Sequence, residues 1–309
     1  MKYLIALPLW VFATVAHAGS MSMQGTGTIF TPNCSQSASF FTRAATNIAA
    51  ALVAGASGIL NWEVAIDGLI CGQVTGGTWS LKDDEVVTVA PTLALAEMNL
   101  VSSSFTLLPG SSMVFTANAG LTGVANMTGY ADTGYAPSSG QMTTSSSLIG
   151  ACVLNNRTTL MASTFLGEVG TQTSGGASAF MLDILTWTTT SQATGFANNG
   201  SSRQTFSTTT LPTTQGGFWS SRTATSSFSD YHNGTLLGSQ GGATAVALAG
   251  VPNFLALGLN DNGTARSPGG LTDTLGAFVL GGGETTVQVE ADEALFTTAL
   301  QAMGISSGC

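Results

Sequence analysis

The sequence predicts a mainly β protein, an antiparallel β-sandwich with a small helical module before it and one amphipathic helix at the end. Hydrophobic residues make up 44% of the 309 residues, enough for a large core, whereas charged residues make up only 7%. Ordinary domains carry about 25% charged residues. From about residue 105, short apolar runs alternate with clusters of Gly, Ser and Asn, which is typical of strands joined by tight turns.

The first helix is predicted from an alanine-rich run with few helix breakers, and the others from apolar residues and start and stop signals. Ser35 to Ala56 predicts the first helix, and the second is expected to begin at an Asn61 cap and to stop at Gly76. A third, short helix is expected over Pro91 to Val101, since proline suits a first helical turn. Gln288 to Gly304 predicts the closing helix. The expected organisation is a leader at residues 1–18 and an extended segment at 19–34. A helical module at 35–104 and a sandwich with its closing helix at 105–309 follow.

The strands of the sandwich are predicted from apolar and β-branched runs. The clearest hairpin is FSDYHNGTLLGS, Phe228 to Ser239, in which Asn233 and Gly234 supply the positive φ angles of a type I′ turn. The predicted strands are Met113 to Ala117, Ser147 to Leu154, Thr158 to Glu168, Ala179 to Thr188, Arg203 to Thr209, Phe218 to Tyr231, Thr235 to Ser239, Asn253 to Leu259 and Thr274 to Leu280.

Residues 1–18, MKYLIALPLWVFATVAHA, resemble a secretory signal peptide. Lys2 supplies the positive start, an apolar run follows, and the small residues at the end fit a cleavage site before Gly19. Met21 and Met23 are alternative starts, and a start there would leave the compartment open. No later run is long and apolar enough to predict a transmembrane helix.

Four cysteines follow the leader, at Cys34, Cys71, Cys152 and Cys309. In an exported chain they can form two disulfides in any of three connectivities. Their spacing matches no zinc site. Cys71 and Cys152 lie in apolar runs, and the alternative for them is a free, buried thiol.

The charge balance excludes one class of partner and suggests another. The net charge is −9 with seven Lys and Arg residues, so the basic stripe that nucleic-acid binding requires is missing. Few lysines are available to keep strand edges from pairing. We therefore expect the edges to be covered by closure of the sheet or by assembly, as in a homo-oligomer.

Several segments, in this order along the chain, resemble one group of proteins. Residues 66–77 and 79–83 carry a DGL…GG and Trp module, and residues 221–239, 251–270 and 275–283 carry the Asn-Gly hairpin, the LGLNDNG loop and an apolar strand before an acidic helix. Together they resemble the concanavalin A-like (LamG-like) jelly-roll domains of bacteriophage and prophage structural proteins.

The resemblance implies a jelly-roll sandwich in a non-enzymatic virion structural, decoration or surface-adhesion protein. It implies other virion or surface subunits as partners, with a glycan as a further ligand, and a location in the virion or outside the cell. One alternative is a secreted, lectin-like carbohydrate-binding protein. The other is a divergent glycan hydrolase.

No catalytic residues are predicted. A retaining glycosidase needs two carboxylates about 5 Å apart, yet Glu168 and Asp183 each stand alone in their strand-like runs. The acidic residues at 290–293 lie at the start of a helix, where negative charge favours the helix dipole. His232 directly precedes the Asn-Gly turn, and a turn residue is the simplest interpretation.

Aromatic residues in the strands are candidates for glycan binding, because sugars stack their apolar faces on aromatic rings. Trp187, Trp219 and Tyr231 lie in segments rich in Ser, Thr and Asn. The alternative is that the tryptophans belong to the core, as large aromatic residues in strands usually do.

Calcium is the one cofactor that the sequence suggests. Asp261, Asn262 and Asp273 offer the oxygen ligands that calcium prefers. An Asn-rich turn explains the same loop through turn chemistry alone.

Overall fold

The fold has three layers, two β-sheets packed face to face and a layer of helices on the outer face of one of them. The computed structural model describes residues 30–124, 129–156, 169–173, 179–187, 190–199, 213–241, 247–266, 273–306 and 309. The leader and the strands predicted at Thr158 to Glu168 and Arg203 to Thr209 lie outside these residues.

The helices of the described residues are α1 (Ser35–Val53), α2 (Ile59–Gly76), α3 (Leu93–Ala96) and α4 (Thr286–Ala302). The helix predicted over Pro91 to Val101 is much shorter than expected. The helix ends before Asn99, whose side-chain oxygen accepts a hydrogen bond from the backbone amide of Glu85 at 3.2 Å. The Leu100 amide also donates to the Glu85 carbonyl at 2.8 Å, so pairing with a strand replaces the last helical turn.

The strands are β1 (Lys82–Val87), β2 (Leu108–Pro109), β3 (Val114–Thr116), β4 (Gly120–Thr122), β5 (Ala131–Asp132), β6 (Ser147–Val153), β7 (Val169–Gln172), β8 (Ala179–Trp187), β9 (Thr190–Asn199), β10 (Gly216–Ala224), β11 (Ser227–His232), β12 (Thr235–Gly241), β13 (Leu255–Ala256), β14 (Leu259–Asp261), β15 (Thr264–Arg266) and β16 (Thr274–Gly281).

The first sheet runs in the order β12-β11-β10-β6-β16-β4-β3. On one edge of β16, Thr274 and Leu275 pair with β4, and residues 277–281 pair with β1. The helical module therefore supplies one strand of the sandwich. The sequence did not predict β1, because the run KDDEVV is too polar to resemble a buried strand.

The second sheet runs in the order β15-β14-β7-β13-β5-β2, with the β8–β9 hairpin paired to β7. All its pairings are antiparallel except that of β14 with β7. The mainly β fold with two packed sheets, N-terminal helices and a closing helix is thus confirmed.

Two hydrophobic clusters occupy the two faces of the first sheet, because side chains alternate along a strand. On β6, Leu148 and Cys152 face the helices, whereas Ile149 and Ala151 face the second sheet. The first sheet is consequently buried on both faces, and its central strands are nearly continuous apolar runs.

Two disulfides select one of the three connectivities that the sequence left open. Cys34 pairs with Cys71, with Cα atoms 5.7 Å apart, and joins the start of α1 to α2. Cys152 pairs with Cys309, with Cα atoms 5.1 Å apart, and joins β6 to the last residue. All four cysteines are used, so the free-thiol alternative for Cys71 and Cys152 is wrong.

Among the described helices, none combines the length and hydropathy needed to cross a bilayer.

Candidate functional site

The hairpin of β11 and β12 has the predicted turn and is docked on helix α4. Asn233 and Gly234 have φ angles of 49° and 69°, as a type I′ turn requires. The Gly234 amide donates a hydrogen bond to the Glu293 carboxylate. The Asn233 side-chain oxygen accepts from the Gly217 amide at 2.9 Å. The hairpin thus connects the sheet to the helical layer.

His232 is held inside this hairpin. Its ring stacks on Phe218, with centroids 4.4 Å apart, and its Nε2 atom lies 3.2 Å from the Gln215 carbonyl oxygen. Burial lowers the pKa of His232, with the contact to Gln215 acting in the opposite direction. The ring therefore packs as a structural element of the turn.

Two of the three predicted glycan-binding aromatics lie in the core. Trp219 is 1% exposed and Tyr231 is 3% exposed, and both belong to the cluster beneath the helices. A Cβ atom at Gly150 would lie 2.7 Å from the Trp219 ring, so glycine there makes room for the indole. These two rings have no open face for a sugar. Trp187 ends β8, and its side chain is outside the described part of the structure.

The predicted calcium residues flank strands of two different sheets. Asp261 ends β14 and Asn262 has a φ angle of 51° in the turn to β15. Asp273 precedes β16, in the other sheet. The Asn260 side-chain oxygen accepts a hydrogen bond from the Gly263 amide at 2.9 Å. This is the turn chemistry that was the alternative to a calcium site. Across the described residues, no group of three or more His, Cys, Asp or Glu side chains is placed to hold a metal ion.

The acidic residues of α4 are mostly buried, which corrects the explanation by the helix dipole. Asp292 and Glu293 are 1% and 2% exposed, and only Glu290 faces solvent. Burial raises the pKa of Glu293 to about 8, although the amides of Gly234 and Asn233 lower it. Glu168 lies outside the described residues, and Asp183 lies on β8 with its side chain not described.

The buried carboxylates of α4 belong to a polar cluster around Lys82. The Lys82 Nζ atom contacts Glu284 Oε1 and Asp292 Oδ2, and all three side chains are 0–1% exposed. The Thr78 hydroxyl donates to Asp292 Oδ1 at 2.6 Å. Glu85 accepts a hydrogen bond from the Gln73 side chain at 2.9 Å. We call these six residues the lysine cluster.

Burial and crowding shift the acid–base properties of the lysine cluster. Burial and the neighbouring carboxylates raise the pKa of Glu85 to about 8 against the effect of Lys82. The same causes raise the pKa of Glu284 to about 7. Burial lowers the pKa of Lys82, but the charges of Glu284, Asp292 and Glu85 outweigh it and raise the net value. Near neutral pH, both the ionised and the protonated form of Glu284 are therefore accessible.

The lysine cluster was not predicted from the sequence, although one signal was present. The sequence contains only the lysines Lys2 and Lys82, and a single lysine beyond the leader, set in a run of acids, is unusual. Its partners could not be identified, because Asp292 lies 210 residues further along the chain.

An open cleft of about 430 Å³ lies beside the β3–β4 hairpin. Four described segments line it, and none of the lining residues in this part of the chain has an ionisable side chain. The hydroxyls of Thr122 and Thr274, both in the lining, lie 3.0 Å apart. The lining also includes Thr116, Leu154, Asn155 and Ile305. We call this the neutral cleft, and its surface combines hydroxyl, amide and aliphatic groups.

Neither a protein-family model nor a curated protein matches the chain. Among solved structures, domain 4 of AbnA, a GH43 extracellular arabinanase from Geobacillus stearothermophilus, is similar at a TM-score of 0.39 and 16% identity, covering 62% of this chain and 82% of that one. A mutant sialidase of Trypanosoma rangeli is similar at a TM-score of 0.47 and 15% identity, covering 76% of this chain and 37% of that one. The CBM40 of the Ruminococcus gnavus IT-sialidase is similar at a TM-score of 0.35 and 10% identity, covering 60% of this chain and 96% of that one.

These similarities are distant. All three TM-scores are below 0.5 at identities of 16% or less, so they imply nothing about the function of this chain.

Proposed function

We propose that this protein is a non-enzymatic, extracytoplasmic adhesion protein that binds neutral oligosaccharides in the neutral cleft. The observation that carries the proposal is the chemistry of the cleft lining. Hydroxyl and amide groups there suit the hydroxyl groups of a sugar, and Leu154 and Ile305 suit its apolar faces. A volume of about 430 Å³ is within the usual range of about 300–1,000 Å³ for ligand sites.

The charge of the protein supports neutral rather than acidic sugars. The net charge is −9, and the described residues that line the neutral cleft include no basic side chain to pair with a sugar carboxylate. An anionic glycan would therefore meet overall repulsion without a local compensating contact.

The disulfides support a location outside the cytosol. Disulfides persist in oxidising compartments and are rare in reducing ones. Cys34–Cys71 and Cys152–Cys309 use every cysteine of the chain. This agrees with the secretory leader predicted at residues 1–18.

A glycan array, followed by calorimetry on the strongest neutral and anionic ligands, tests the proposal. Thr116→Trp fills the neutral cleft from exposed strand β3, so we expect it to abolish saturable binding of a neutral glycan. Thr264→Trp places the same ring on exposed strand β15 of the other sheet and should retain binding. An array without saturable binding, or equal binding by both variants, would refute the glycan site.

A second candidate function is assembly on a particle, as a virion structural or decoration subunit. The observation that favours it is the outer surface of the α1–α2 corner, where Leu52, Val53, Leu60 and Val64 are 44%, 83%, 43% and 53% exposed. Exposed aliphatic groups of this kind are typical of protein interfaces. Light scattering together with the glycan array distinguishes assembly from glycan binding. A defined oligomer that dissociates in Val64→Lys, with no glycan bound on the array, would support assembly.

A further inference from the structure

Lys82 is enclosed by carboxylates in a place that water does not reach. It begins strand β1, and its Nζ atom contacts Glu284, just before α4, and Asp292, in the second turn of α4. The three side chains are 0–1% exposed. An amine and a carboxyl group held together without competing water are the reactants of an amide condensation.

The two oxygens of Asp292 have different partners. The Thr78 hydroxyl donates to Oδ1 at 2.6 Å, whereas Lys82 Nζ contacts Oδ2. The hydroxyl polarises the carboxyl group and is placed to stabilise negative charge on Oδ1, as donors in an oxyanion hole do. Oδ2 is then the oxygen that leaves.

Glu284 is placed as the acid–base group. It contacts Lys82 Nζ through Oε1, and it interacts with the carboxyl group of Asp292. Its backbone is fixed on both sides by Ser221, whose Oγ donates to the Glu284 carbonyl at 2.6 Å and accepts from the Glu284 amide at 2.8 Å. One carboxyl group therefore reaches both the amine and the carboxyl that would react.

We propose that Lys82 and Asp292 condense to an intramolecular isopeptide bond, with Glu284 as the acid–base residue and Thr78 as the donor to Oδ1. The bond would join β1 covalently to α4, across 210 residues of sequence.

The reaction balances without an oxidant or a co-reactant. Glu284, as carboxylate, takes one proton from the Lys82 ammonium group and passes it to Oδ2 of Asp292. The neutral amine then attacks Cγ of the resulting carboxylic acid, and the tetrahedral intermediate carries its negative charge on Oδ1, against the Thr78 hydroxyl. The nitrogen gives up a second proton to Oδ2 through Glu284, and Oδ2 leaves as water. One ammonium proton stays on the amide nitrogen, and Glu284 ends as the carboxylate it began as.

Burial favours the product. A buried ion pair has a large desolvation cost that its own attraction does not always offset, and the amide replaces both charges with a neutral group. The raised pKa of Lys82 makes the first proton transfer unfavourable, which slows the step. The reaction happens once per chain, however, so a slow step is sufficient.

The mass of the intact, reduced wild-type chain under denaturing conditions tests the proposal. We expect a mass lower by one water than that calculated from the sequence and the observed N-terminus. Peptide mapping should find Lys82 and Asp292 in one branched peptide, and an amine-acetylating reagent should leave Lys82 unmodified in the denatured chain. A full-mass chain with an acetylated Lys82 would overturn the proposal, as would a branch at Glu284.

Matched variants separate the acid–base role of Glu284 from general effects. Glu284→Gln keeps the size and hydrogen-bonding capacity of the side chain but cannot accept the ammonium proton, and we expect a full-mass chain with a reactive Lys82. Glu290→Gln, exposed on the same helix, should still lose one water. Loss of water in Glu284→Gln would exclude Glu284 as the base. If Glu284→Gln does not fold, the wild-type mass and acetylation decide the proposal by themselves.

Discussion

The indole ring of Trp219 meets the ring of Phe296 edge-on, with centroids 5.7 Å apart and an interplanar angle of 61°. Trp219 belongs to strand β10 and Phe296 to helix α4, and both are 1% exposed. This contact lies where the helical layer packs on the first sheet. The closing helix is therefore part of the main core.

Phe296→Ala should lower the free energy of unfolding by about 3–5 kcal/mol, the usual cost of deleting a buried ring. The cavity would form between α4 and the sheet, so the change also weakens the docking of the helix. Chemical denaturation measures the loss. Gln301→Ala, exposed on the same helix, should change stability by less than about 0.5 kcal/mol, and similar effects of both substitutions would contradict this packing.

Gly234→Ala should destabilise the protein by about 1–2 kcal/mol, because a Cβ atom is unfavourable in the left-handed region. Gly234 has a φ angle of 69°. Gly76→Ala is the matched control, since Gly76 lies in the last turn of α2 with nothing within 4 Å of the added Cβ. There we expect a gain of up to about 1 kcal/mol from helix propensity. If thermal denaturation shows that both substitutions change stability in the same direction, the turn geometry would be contradicted.

Replacing both Cys34 and Cys71 by serine should cost about 4 kcal/mol, the loop-entropy value for a cross-link of this span. The two residues are 37 positions apart. The loss should appear as a lower denaturation midpoint in the double variant. The double variant isolates this disulfide, whereas reduction of the wild-type chain breaks it together with Cys152–Cys309. Unchanged stability after loss of Cys34–Cys71 would mean that α1 and α2 are held by packing alone.

The unfolding free energy should fall as the pH rises from about 4.5 to 8. Burial raises the pKa of Glu63 to about 7 and those of Glu85 and Glu293 to about 8, above the ordinary value of 4.5. In this window the unfolded chain has lost protons that the folded chain still binds, so a higher pH favours unfolding. Urea denaturation across the window measures the slope.

Glu293→Gln should flatten that slope, because the amide does not titrate. Glu290→Gln, at an exposed position three residues earlier on α4, should leave the slope unchanged. A stability that stays constant or increases between pH 5 and 8 would contradict the raised pKa values of these carboxyl groups.

Much of the fold could be predicted from local patterns. The helices α1, α2 and α4 were predicted because runs without helix breakers and glycine stops are signals contained within each helix. The predicted cap at Asn61 is wrong, since α2 begins at Ile59 after Gly58. The hairpin of β11 and β12 was predicted because Asn-Gly determines its own turn geometry. Strand β1 was missed because its polar residues find partners on other elements, Lys82 at Glu284 and Asp292 and Glu85 at Gln73 of α2.

The candidate sites depended on contacts that no local pattern contains. From the sequence, Trp219 and Tyr231 could face either the solvent or the core. They are buried because the helical layer covers the face of the first sheet on which they lie. The neutral cleft is lined from four separate segments.

The sequence by itself determined the composition of the core, most helices, the turn at Asn233 and the availability of four cysteines for pairing. Only the tertiary structure decided which cysteines pair and which carboxylates meet Lys82. The physical reason is separation along the chain, because Cys152 and Cys309 are 157 residues apart and Lys82 and Asp292 are 210 apart. Such partners are brought together by the packing of helices on the sheet, and short-range propensities do not report that packing.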